Sequence, residues 1–146
     1  MFVQIIAAAA MMQAAPAAPT EAWTWTLYQG DGPTVLANEI PDTPRLKSTL
    51  ECANGTGVAR ITLYNSARAA GFATLTAGAG GDAGTAQAET PRPGVLSVTF
   101  RTDHPVFSRF VANGDLSVAV GAASETIHVQ RPHLAKLRRF TELCTG

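Results

Sequence analysis

The chain has two cysteines, Cys52 and Cys144, and their settings limit the fold more than any other feature. Cys52 ends the run Leu46 to Cys52, in which Leu46, Ser48, Leu50 and Cys52 share one face of an extended strand. Lys47, Thr49 and Glu51 take the other face. Cys144 ends the run Pro132 to Cys144, where Pro132 suits a first helical position. At about 100° per residue, Leu134, Leu137, Phe140, Thr141 and Cys144 fall on one side of that helix. Both periodicities turn the sulfurs toward a common core. An even count in an exported chain argues for a bridge between them. It would close a loop of about 92 residues, which the chain-entropy model values at roughly 4–5 kcal/mol as an upper figure.

The case for export rests on the N-terminus. Phe2 to Met12 reads FVQIIAAAAMM. About eleven apolar residues match the core of a signal peptide, and a spanning helix needs roughly 20. Small residues follow, and Ala15-Pro16-Ala17 meets the requirement of signal peptidase without leaving Pro at the new N-terminus. No Lys or Arg precedes the apolar core. Residues 1–17 therefore read as a signal peptide, 18–22 as a flexible linker and 23–146 as a single β-rich domain. The expected location is periplasmic or secreted. If the N-terminal segment were retained, it would tether an envelope accessory protein to a membrane. That is the one route by which a membrane partner enters.

Beyond the linker, short alternating runs are separated by turn residues. Trp23, Trp25 and Leu27 share one face of a first strand. Thr34 to Ile40, Leu46 to Cys52 and Val58 to Tyr64 follow, the last two joined by the hairpin signal Asn54-Gly55-Thr56-Gly57. Ala70 to Ala77 and Val95 to Arg101 continue the series, and Leu116, Val118, Val120, then Ile127 and Val129, repeat the pattern. Pro105 to Phe110 reads as a helical turn whose Phe107, Phe110 and Val111 would plug one end of a core. The expected fold is mainly β: a β-sandwich or small β-barrel of about 7–8 antiparallel strands, with helix 132–144 packed on it.

Charge narrows the function classes. Lys plus Arg equals Asp plus Glu, 11 against 11, and charged residues make up 15% of the chain, against about 25% in typical domains. A neutral domain offers no electrostatic case for nucleic acid. The densest cluster is Arg131, His133, Lys136, Arg138 and Arg139. It reads as a solvated helix face or as a docking surface for an acidic protein, lipid headgroup or envelope polymer. Trp23 and Trp25 read as core, or as the wall of a ligand groove.

Motifs for chemistry are sparse. Gly78-Ala79-Gly80-Gly81-Asp82-Ala83-Gly84 has dinucleotide-loop spacing, but Pro91 interrupts what would have to be a helix. The three histidines, His104, His128 and His133, show no metal-ligand spacing, so no metal or cofactor is expected. No GxSxG elbow is present, which leaves Asp103 and His104 with an unidentified Ser as the one cluster for a hydrolase. The layout loosely resembles small exported bacterial proteins of the invasion-associated locus B type, from which no residue role carries over. The expected function is a non-enzymatic binding or structural module whose partner is an unknown protein or envelope ligand. The alternatives are a hydrolase centred on Asp103 and His104, or a tethered accessory protein.

Overall fold

The computed structural model describes residues 22–66, 70–78 and 83–146. The signal-peptide reading of 1–17 and most of the linker lie outside them. Among the described residues, the elements are β1 (Thr24–Tyr28), β2 (Thr34–Glu39), β3 (Leu46–Cys52), β4 (Val58–Tyr64), β5 (Gly71–Thr76), β6 (Ala83–Arg92) and β7 (Val95–Arg101). Helix α1 (Pro105–Asn113), β8 (Asp115–Val120), β9 (Ala123–His128), a 3-10 turn (Arg131–His133) and α2 (Leu134–Thr145) complete the chain. None of these helices is long and apolar enough to cross a membrane.

The nine strands form one antiparallel sheet in the order β1-β2-β3-β4-β7-β6-β5-β8-β9, curled into a half-barrel. This corrects the expectation of a sandwich or closed barrel with fewer strands. The strand that the alternation failed to reveal is β6. Its buried positions, Gly84 and Ala88, carry almost no apolar bulk. The packing requires this at Gly84, where a Cβ would lie 2.5 Å from Cζ of Phe100. Beyond β6, strands β4 to β7 follow a Greek-key order, with β7 returning to lie beside β4.

The connection from β7 to β8 must then pass over β6 and β5, and α1 makes that crossing. His104 caps the helix by accepting the Val106 N–H at Nδ1, 3.1 Å, and Pro105 opens it. Gly114 ends α1 at φ 86, donating to the Phe110 carbonyl at 2.7 Å. A Cβ at Gly114 would collide with the Val129 carbonyl, so geometry and space both demand glycine. Phe107 and Phe110 are fully buried and meet edge to face, closing one end of the core as the sequence suggested.

Helix α2 packs against β1, β2, β4 and α1. Leu137, Phe140 and Cys144 form its buried stripe. The Cys52–Cys144 disulfide joins β3 to its last turn, with the Cα atoms 5.5 Å apart. Two N–H groups of the β3–β4 turn add to the anchor: Gly55 donates to Leu143 at 3.1 Å and Gly57 to Cys144 at 2.8 Å. These bonds satisfy carbonyls that a helix end leaves without partners. The curl brings the sheet edges together at one point, where Nε1 of Trp25 in β1 donates to the His128 carbonyl in β9 at 3.0 Å. Nζ of Lys136 donates to the Trp25 carbonyl at 2.6 Å, covering part of the open edge of β1.

Candidate ligand-binding cleft

The helices close the end of the half-barrel where β3 and β7 finish. At the other end, β2 and β4 finish, β3 begins and the β6–β7 hairpin turns. There the sheet leaves a cleft of about 910 Å³, within the usual size range of small-molecule sites. Its wall includes Trp23, Arg45, Lys47, Tyr64, Arg92 and Glu125.

Local backbone irregularities put these side chains on the rim. The β2–β3 turn is held by Ile40 N–H to Arg45 O at 3.2 Å and by the Thr43 hydroxyl to Ile40 O at 2.7 Å, with Asp42 in the left-handed region at φ 61. The β2–β3 register then shifts: Asn38 faces Ser48 and Glu39 faces Leu46. Lys47 is thus the extra residue of a bulge, a device that re-aims a side chain. Simple alternation points Lys47 away from the core, and it is exposed, lying over Trp23. Its Nζ lies 4.3 Å from the ring centroid and the Arg45 Cζ lies 5.5 Å from it. Both distances are in the cation–π range.

The β6–β7 pairing shifts in the same way between Glu89 and Arg92, so Arg92 rather than Pro91 faces Val95. Pro91 has no N–H to give a ladder, which favours such an irregularity. Asn65, at φ 57, turns the chain at the end of β4. Ser66 N–H then donates to Gly94 O at 2.8 Å, fixing the Arg92 hairpin to the rim. Arg45 and Lys47 from the start of β3, and Arg92 from the end of β6, therefore reach one cleft. Glu125 is the one carboxylate residue among its described walls. The Tyr64 hydroxyl, 3.5 Å from the Thr49 hydroxyl, adds a neutral hydrogen-bonding group.

Of the residues singled out from sequence, Trp23 and His128 line the cleft and the others lie elsewhere. Arg131, Arg138 and Arg139 are exposed on the terminal helical segment, and Arg139 reaches Glu142 at 3.4 Å. Lys136 is spent on the β1 backbone. His133 is half-buried, its Nδ1 is buried without a partner among the described residues, and desolvation, then the Lys136 charge, hold its imidazole below the ordinary range. Asp103 gives both carboxylate oxygens to Arg101, at 2.9 and 2.6 Å, and that guanidinium holds its carboxyl below the usual range. His104 spends Nδ1 on the α1 cap and sets its ring 4.9 Å from Phe100. His128 is exposed and paired with Asp115. Among the described residues, no group of three His, Cys, Asp or Glu is placed to hold a metal ion.

The two tryptophans divide between the two roles weighed for them. Trp25 is fully buried core, and Trp23 is half-buried in the cleft wall. Arg45, Lys47 and Arg92 are not recognisable as a set from sequence, because Arg92 lies 45 residues beyond Lys47 and the strand pairing that joins them carries register shifts. The prolines around them, Pro41, Pro44 and Pro91, were the available signal. No family model matches this chain, and neither a curated protein nor a solved structure matches it.

Proposed function

We propose that the protein is an exported, non-enzymatic binding module that holds a ligand of the cell envelope or extracellular space in the cleft at the open end of its half-barrel. The observation that carries this reading is the asymmetry of the two ends: one is filled by Phe107, Phe110 and Phe140, and the other is left concave and lined with polar groups. The buried disulfide and the signal-like N-terminus support the exported setting. A binding module needs a rigid frame around a preformed cavity, and a continuous sheet tied at one end supplies it.

Amide chemical-shift mapping of the full chain against a pool of soluble envelope metabolites tests the reading. Shifts gathered on Trp23, Lys47 and Arg92 are the expected result. Shifts confined to Arg138 and Arg139 on α2, or turnover of a pool member, would contradict it. The intact mass of the protein recovered from the envelope tests export. A chain beginning near Ala18 is expected, and one beginning at Met1 favours the tethered alternative.

A further inference from the structure

Resting on that reading of the cleft, we propose that its ligand is a polyanion: a small molecule carrying several carboxylate or phosphate groups, gripped by Lys47 and Arg92 across Trp23. The chain as a whole is neutral, yet three of its eleven Lys and Arg residues converge on this rim, with Glu125 as the one acidic residue among the described walls. Lys47 and Arg45 lie over a single indole ring, well inside the ~10 Å over which charges in physiological salt still act on one another.

The pairing of the cations favours the same ligand. An ammonium over an aromatic face keeps its charge and its N–H donors, whereas one in an ion pair has already committed them. Lys47 is of the first kind, and Arg92 makes no ion pair with the described residues. A guanidinium binds carboxylate or phosphate oxygens two at a time, and an ammonium adds a point charge. Both residues stand where the ladder breaks register. The Tyr64 hydroxyl and the Asn38 amide are placed on the same wall for the neutral parts of such a ligand.

Titration of the full-length mature chain with trigalacturonate, tripolyphosphate and neutral maltotriose, followed by tryptophan emission and calorimetry, tests the proposal. Trp25 is sealed in the core, so a change in emission reports on Trp23. At least one anion is expected to bind, maltotriose is not, and which anion binds separates a carboxylate source from a phosphate source. Lys47→Ala with Arg92→Ala should weaken the anion about tenfold or more, the scale of losing one charge-assisted hydrogen bond. Added salt should weaken it further, and Arg138→Ala with Arg139→Ala should change nothing. Because Lys47 and Arg92 lie on the rim, an unchanged thermal midpoint will confirm that the double variant is folded.

Failure of both anions to bind, or equal binding by the double variant, overturns the polyanion. Maltotriose binding with a Trp23 response overturns it while leaving the cleft as the site. An anion that leaves Trp23 silent and is lost in the Arg138/Arg139 variant overturns the cleft as well.

Discussion

Where β3 and β7 finish, the half-barrel is filled with aromatic rings, crossed by two helices and tied by the Cys52–Cys144 bridge. Its polar groups there are used locally: His104 caps α1, and the Gly55 and Gly57 N–H groups cap the carbonyls of α2. Where β2 and β4 finish, no helix intervenes among the described residues. Trp23 stands half-buried beneath two cations, and two strand pairs, β2–β3 and β6–β7, shift register. The contrast teaches that stability is concentrated at one end of a single sheet. The other end is left able to tolerate converging charge, because the frame does not depend on it.

Variants at the helical end should therefore cost most. Phe140→Ala removes a fully buried ring facing the sheet and should destabilise by about 3–5 kcal/mol, read from urea unfolding. If the loss is below about 1 kcal/mol, the helix does not anchor the core. Replacing Cys52 and Cys144 together by Ala should cost about 2–4 kcal/mol, less than the chain-entropy ceiling, because strain and residual structure in the unfolded chain reduce it. Trp25→Phe keeps most of the ring but leaves the His128 carbonyl without its donor across the seam, and about 1–3 kcal/mol is expected. Hydrogen exchange should show that loss first in β1 and β9, where the sheet is held on one side only.

The smallest effect concerns pH. Burial holds the His133 imidazole below its ordinary range, so the unfolded chain takes up that proton at a higher pH than the folded one. Stability is then intact above the ordinary value of about 6.5 and declines as pH falls through it toward the folded value. His133→Gln should flatten that decline in urea midpoints measured across the interval. An unchanged slope would mean that the buried Nδ1 finds a partner on protonation.

Much of the helical end was legible in the sequence, because it is built from strong periodic signals. Strand parity placed Cys52 inward and helical spacing placed Leu137, Phe140 and Cys144 inward, and all four are buried. Phe107 and Phe110 announced a plug for the same reason. The cleft end was hidden because it is made of exceptions. Strand β6 escaped notice because Phe100 leaves room for Gly84 and nothing larger. Alternation turns Lys47 away from the core, and it is exposed, but its meeting with Trp23 and Arg92 at one cleft depends on strand pairing that alternation does not give. The same reasoning weighed Trp23 and Trp25 together, and only the curl of the sheet separates them: one bonds across the seam and the other remains at the mouth.

The most direct test measures anion affinity and unfolding midpoint side by side in two variants, Lys47→Ala/Arg92→Ala and Cys52→Ala/Cys144→Ala. The account predicts that the first loses about tenfold or more in affinity while its midpoint stays within about 0.5 kcal/mol of the parent. It predicts that the second loses about 2–4 kcal/mol of stability while, still folded, it binds as the parent does. If the cleft variant unfolds as readily as the disulfide variant, or the disulfide variant loses its affinity while folded, the division between a structural end and a binding end is wrong.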